Sequence, residues 1–199
     1  AHTDTVHEII GTINVKEVML PNATGELKPS LKAFDDSNNP TGIGGDDKCG
    51  IFACLELLNE LPNLKAAFFI AEEVGCKGSL KADEQFFANV GYVIQFDAPK
   101  NNLITQVCYG TPLFNSSSDF FTISDKIITE GMGGNQEYKI HPYTDVWALR
   151  NKFKISCINI SIGYYDYHTP NEYVVIDDVF NGIEIGKKMI EALGYKKYL

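Results

Sequence analysis

The chain has 199 residues, 44% of them apolar, and its 26 acidic against 17 basic side chains leave a formal charge of −9. A chain of that length buries roughly 70% of its unfolded surface, so it needs neither disulfide nor metal merely to fold. The acidic balance excludes the basic footprint that nucleic acid requires. No apolar run approaches the roughly eighteen residues of a membrane helix, so neither nucleic acid nor membrane is expected as a partner.

Along the chain, strand-type and helix-type runs alternate without repeat or linker, which predicts one layered α/β domain over residues 1–199. Residues 12–20 and 26–34 read as two short strands or a hairpin, with Pro21, Asn22 and Gly25 between them. Residues 36–45 are a loop. Residues 51–61 are apolar nearly all round and predict a buried helix stopped by Pro62. The continuous run 64–71 (LKAAFFIA) predicts a central strand covered on both faces, and 78–89 a helix. A second strand is expected at 92–96, an edge strand at 103–109, helices at 117–130 and 144–151, and a third central strand at 155–162. Thr144 or Asp145 would cap the second of those helices. Residues 179–193 form an amphipathic helix ended by Gly194. The five cysteines show no CxxC spacing and read as reduced, mostly buried thiols of a cytosol-like compartment. Nor do the opening residues read as a signal peptide.

The polar residues at the ends of the buried runs are more informative. LKAAFFIA leads into Glu72 and Glu73, YVIQF into Asp97, and ISCINISIG into a loop carrying Tyr167 and His168; His2 and Asp4 open the chain, and Asp46 and Asp47 precede the buried helix. Open α/β sheets bind ligands beyond the carboxyl ends of their strands. Each piece alone has an ordinary explanation: an HxD by chance, an aspartate pair capping a helix, a satisfied loop histidine. Together they place carboxylates and imidazoles at one sheet edge, where bare carboxylates would repel until some took up protons. One or two divalent cations remove that repulsion. Imidazole and carboxylate without cysteine suit zinc, manganese or cobalt in an open catalytic site, and the count points to two ions.

The series AHTDT, GGDDKCG, AEEVGCKGS, a strand ending in Asp97, and YHTPNE resembles the co-catalytic zinc exopeptidases of clan MH, across residues 1 to about 193. The resemblance implies a three-layer α/β/α fold with a central mixed, mostly parallel sheet. It implies two zinc ions, with His2 and Asp97 on one, Glu73 and His168 on the other, and Asp46 bridging. Asp46 is preferred to Asp47 because it stands four residues before Gly50. Asp4 would orient His2, Glu72 would be the general base, and Tyr167 would stabilise the tetrahedral oxyanion. The peptidase T-like branch carries a lid between the positions of Asp97 and His168. Only about 70 residues separate them here, so no lid domain is expected, and residues 98–150 should pack on the sheet and line the cleft. Members of the clan also carry a region ahead of HxD, so an N-terminally trimmed chain is expected.

The expected activity is hydrolysis of a terminal bond in a small peptide or amide. Arg150 is the only arginine, and a carboxypeptidase needs a cation or amide for the substrate carboxylate, so the reading leans to an aminopeptidase. A carboxypeptidase or deacylase of the same clan, or a non-catalytic metal-binding relative, is the alternative. Candidate pocket residues lie within 110–150: Asp119, Asp125, Asn135, His141, Tyr143, Asp145 and Trp147. A nucleotide-binding reading of GIGGDD is weak, because its glycine spacing is wrong and two aspartates would face the phosphates.

Overall fold

Asn22 sets the first turn: its side-chain oxygen accepts the N–H groups of Thr24 and Glu26, each at 3.0 Å, and Gly25 takes a positive φ. The turn joins β1 (Asn14–Pro21) and β2 (Leu27–Phe34) into an antiparallel hairpin. Three short segments extend this first sheet, all antiparallel: β3 (Pro40–Thr41) on β2, then β10 (Tyr173–Val175) on β2 and β9 (Tyr164–Tyr165) on β10. The computed structural model describes every residue except 9, 10 and 142.

The second sheet carries the core. Its order is β4 (Tyr92–Ala98), β8 (Ser156–Ser161), β5 (Leu103–Cys108), β6 (Thr111–Pro112), with β7 (Glu137–His141) also on β5. Pairings β4/β8 and β5/β7 are parallel, whereas β5/β8 and β5/β6 are antiparallel. The sheet is therefore mixed, with the two senses balanced. Helices α1 (Gly45–Glu60), α2 (Glu84–Phe87), α3 (Asp119–Gly131), α4 (Asp145–Phe153) and α5 (Ile176–Leu193) complete the layered α/β arrangement. Both α1 and α4 pack on β4, and α5 packs on α1 and α3. One hydrophobic cluster runs from Ala53 and Leu57 of α1 through Phe96, Ile158 and Ile160 of the sheet to Ile183 and Met189 of α5. Residues 98–150 supply β5–β7, α3 and α4 to these layers, and no lid stands apart among the described residues. No described helix is long and apolar enough to cross a membrane.

Several elements differ from the sequence reading. The run 64–71 is extended but forms no ladder; its bridge is Phe69 to His2, and Ile70 is 67% exposed. An apolar groove lined by Leu64, Ala67, Phe69, Tyr92 and Ile94 separates it from β4, so it lacks the strand neighbours that would bury both its faces. Helix α1 buries only the face carrying Cys49, Ala53 and Leu57, and leaves Phe52, Leu55 and Leu58 exposed. The expected helix at 78–89 is broken into a 3-10 turn (Ser79–Lys81) and α2, because the Asp83 side chain caps the Phe86 N–H at 2.7 Å and restarts the helix. Strand β5 is interior rather than an edge, since β7, β6 and β8 all pair with it.

Candidate metal centre

Each strand end delivers its polar group by a local device. The parallel bridge of His2 to Phe69 places the imidazole beside the segment that ends in Glu72 and Glu73. Asp97 sits where the β4/β8 register shifts between Phe96 and Ala98, and such an irregularity re-aims a side chain. Ala71 and His168 both take positive φ, which turns the chain out of the extended path just where a carboxylate and an imidazole are needed. Asp46 and Asp47 have non-helical backbone ahead of the regular turns of α1.

These devices bring His2, Asp46, Glu73, Asp97 and His168 together. His2 Nε2 lies 3.0 Å from Asp46 Oδ1 and 3.6 Å from Asp97 Oδ1. The other Asp46 oxygen, Oδ2, is 3.2 Å from His168 Nε2, and Glu73 Oε2 is 3.1 Å from that same nitrogen. Asp46 thus stands between the two imidazoles with one oxygen toward each. Its neighbour Asp47 does different work: Oδ2 accepts the His2 backbone N–H at 3.1 Å and Oδ1 accepts the Gly50 N–H at 3.0 Å.

That second pattern recurs. Asp4 accepts the backbone N–H of Glu72 on Oδ1 (3.1 Å) and of Glu73 on Oδ2 (3.2 Å). Its backbone carbonyl, 3.0 Å away, approaches His2 Nδ1 more closely than its carboxylate does at 3.5 Å. Glu172 accepts the Asp46 N–H at 3.0 Å. Asn159 Oδ1 accepts the Asp97 N–H at 2.9 Å, and its amide donates back to the Asp97 carbonyl at 2.9 Å. On the side-chain end, Asp97 Oδ2 accepts from Gln95 Nε2 at 2.7 Å, with the Thr144 hydroxyl 3.2 Å away. Thr144 occupies the N-cap position of α4 without capping it by its side chain.

The electrostatics follow from burial. Burial, then the charge of Asp97, pushes the Glu72 carboxyl up to about 9. Burial and Asp46 lift Glu73 to about 6, and burial raises Asp97 and Asp47 as well. Burial would lower His2, but its bonds to Asp46 and Asp97 outweigh that and raise it to about 12. His168, bonded to Asp46, rises to about 9. Burial opposes ionisation of Asp46 too, yet the two imidazoles hold it below the ordinary carboxylate range. Crowded buried acids of this kind are compatible only where some take up protons or a cation balances their charge. Nitrogen and oxygen donors of His2, Asp46 and Glu73 lie within 4.8 Å of one another, as do those of His2, Asp47 and Asp97. This donor set of imidazole nitrogen and carboxylate oxygen fits a hard or borderline divalent cation.

Glu72 is 6% exposed, and the Cys76 thiol donates to it at 3.6 Å; it makes no hydrogen bond to the five clustered side chains. Tyr167 is 39% exposed and packs its ring edge-on against His168 and Tyr164. From the 110–150 region, Tyr143 reaches the cluster, its hydroxyl donating to the Glu73 carbonyl at 3.2 Å. Asp145 is buried nearby on α4, and burial raises it to about 6. Asp125 instead bonds Tyr138. Sequence reasoning missed Gln95, Asn159 and Glu172. Glu172 lies inside the YHTPNE run; Gln95 and Asn159 could have been found as lone polar residues inside apolar strands. All five cysteines are free.

No family model matches the sequence, and no curated protein is significantly similar to it. Solved structures do match in fold. The aminopeptidase PepT of Bacillus cereus superposes with a TM-score of 0.67 at 13% identity, covering 97% of this chain and 79% of that one. A tripeptidase of Staphylococcus aureus gives 0.63 at 16% identity over 96% of this chain and 79% of that one. A TET aminopeptidase from a marine-sediment thaumarchaeote gives 0.58 at 14% identity, and there the match covers 82% of this chain but 52% of its neighbour. The chain therefore has the catalytic-domain fold of the clan MH peptidases.

Proposed function

We propose that this protein is a co-catalytic metallopeptidase of the aminopeptidase type, with residues 1–199 acting as one catalytic unit. The observation that carries the reading is Asp46, with one oxygen 3.0 Å from His2 and the other 3.2 Å from His168, flanked by Asp97 and Glu73. The aminopeptidase and tripeptidase names of the structural neighbours point the same way. His2 and Asp97 would hold one divalent cation and Glu73 and His168 a second, with Asp46 shared; zinc is the expected metal. When bound, such a pair activates water and neutralises the tetrahedral oxyanion.

The chain's own groups do the rest. Glu72 lies beside the cluster without being tied into it, and a bound cation pair would favour its ionised form, which is the form that accepts the proton of the attacking water as general base. It then returns that proton to the leaving amine. Tyr167, next to His168 and open to solvent, would donate its hydroxyl to the oxyanion. The acidic surroundings of the cluster favour a substrate with a free ammonium group over one anchored by its carboxylate. The experiment is metal analysis of the purified protein, then hydrolysis of a panel of dipeptides, tripeptides and N-acyl amino acids. Two ions per chain and cleavage of free-amine peptides are expected. Preference for N-acyl substrates would make it a deacylase or carboxypeptidase of the same clan. Absence of bound metal after incubation with zinc, manganese or cobalt would overturn the reading.

A further inference from the structure

We infer that Glu172, tied to His7, is the positioning residue that aims the Asp46 carboxylate at both imidazoles. The inference rests on the metallopeptidase reading of the site. Glu172 is fully buried, and three donors converge on its two oxygens. Oε1 accepts the Asp46 N–H at 3.0 Å, while Oε2 accepts the Gly44 N–H at 2.7 Å and faces His7 Nε2 at 2.9 Å. A buried carboxylate held by three charge-assisted hydrogen bonds is a rigid fixture, and removing one partner leaves a buried donor unpaired.

The surroundings are built around that fixture. The His7 ring lies so close over Gly42 that a Cβ there would collide with it. A Cβ on Gly45 would meet Val174 Cγ2 at 2.8 Å and Tyr164 Cβ at 2.9 Å, and would come within 3.4 Å of Glu172 Oε1. The glycines of GIGGDD therefore have a use that is not phosphate binding: they let the segment press against His7, Tyr164 and Glu172. Sequence distance makes the arrangement specific. Glu172 is four residues beyond His168 and 126 beyond Asp46, so one short loop carries both an imidazole facing Asp46 and the carboxylate that fixes the Asp46 backbone. Moving that loop shifts both together.

Glu172 touches none of the reacting atoms, so its test needs a readout that a loss of stability alone would not move. Metal-free parent, Glu172→Gln, His7→Gln and His7→Ala would be titrated with Co²⁺, following the visible absorption bands and the stoichiometry; Ile183→Val, in α5 away from the site, serves as a control of lowered stability. In Glu172→Gln the new amide keeps one acceptor where three donors arrive. That change should weaken uptake of at least one Co²⁺ by roughly 10–100-fold, the usual effect of losing a ligand's supporting partner, and alter the bands of the loaded protein. His7→Ala should show a smaller loss in the same direction, and His7→Gln, which keeps a side-chain donor, should recover part of it. Ile183→Val should lower the melting temperature without altering the Co²⁺ bands. Should Glu172→Gln not fold, the pair of His7 variants decides the question. Parent-like Co²⁺ binding in Glu172→Gln, or in both His7 variants where that protein is unfolded, overturns the inference and leaves the metallopeptidase reading standing. Failure of the parent to bind Co²⁺ overturns both.

Discussion

The adjacent glutamates offer the sharpest separation of roles, and the geometry sets what each substitution should do. Glu72 is buried, accepts a hydrogen bond from the Cys76 thiol, and is pushed up by burial to about 9. Replacing it with glutamine keeps the volume and substitutes one neutral group for another, so stability should change by less than about 1 kcal/mol. Metal content should stay at the parent level. What disappears is a proton acceptor, and turnover should fall by roughly 10²–10⁴-fold, the range of general acid–base catalysis, equivalent to about 3–5 kcal/mol in the barrier. Glu73 differs: both of its carboxylate oxygens lie 3.1 Å from His168 Nε2. Glu73→Gln removes the charge that balances this imidazole, so one of two ions and the activity should be lost together, with some stability, because metal binding is linked to folding. The assay is metal stoichiometry beside the hydrolysis rate of one dipeptide for both variants. If Glu72→Gln loses metal while Glu73→Gln retains it, the roles are exchanged. If neither changes turnover, the hydrolase assignment fails.

Other expectations come from the same contacts. Asp4→Asn keeps one acceptor for two backbone donors, so it should destabilise the protein by about 1–3 kcal/mol and lower metal affinity, checked by thermal melting and metal titration. Gly45→Ala should destabilise strongly, by about 1–3 kcal/mol from overpacking, because its Cβ would meet Val174 Cγ2 at 2.8 Å and Tyr164 Cβ at 2.9 Å; a parent-like melting curve would refute the packing argument. Chelated protein should be most stable near pH 5 and weaken toward pH 9. Glu72, raised to about 9, contributes stability that is present below its unfolded value and fades as pH climbs toward 9, and His168, raised from 6.5 to about 9, fades across that interval; both signs agree. The gap in melting temperature between metal-loaded and chelated protein should therefore widen with pH, and a constant gap would contradict these shifts.

The sequence exposed the site more fully than the sheets around it. Asp46, Glu73, Asp97 and His168 each follow or precede a recognisable apolar run, so their convergence could be inferred from order, whereas His2 merely opens the chain and joins them through the HxD pattern. Strand pairing could not: nothing in LITQVC announces that β5 lies between three partners rather than at an edge. The run 64–71 misled because apolarity reports a preference for burial, while a ladder also needs neighbours within hydrogen-bonding reach. The expected all-round burial of α1 failed for a related reason, since Phe52 and Leu58 are apolar but face outward. The clamps were the least legible. Asp4, Asp47 and Glu172 have the same chemistry as ligands, and only distances to backbone N–H groups tell them apart.

Those clamps explain how a crowded acidic cluster can be both buried and ordered. The backbone N–H of His2 is held by Asp47, that of Asp46 by Glu172, that of Glu73 by Asp4, and that of Asp97 by Asn159. Each clamping side chain commits an acceptor to the main chain, and His2 Nε2, Asp97 Oδ1 and both oxygens of Asp46 and Glu73 are left to face the cluster. His168 stands outside this scheme: its side chain is 42% exposed, its φ is positive, and among the described residues no buried side chain grips its backbone. The backbone clamps are thus concentrated on the sheet side of the centre, and the solvent-side donor comes from the loop that also carries Tyr167. On the metallopeptidase reading, a peptide entering this site would meet the exposed His168 imidazole and Tyr167 phenol first, with the donors whose backbone is clamped lying beneath them.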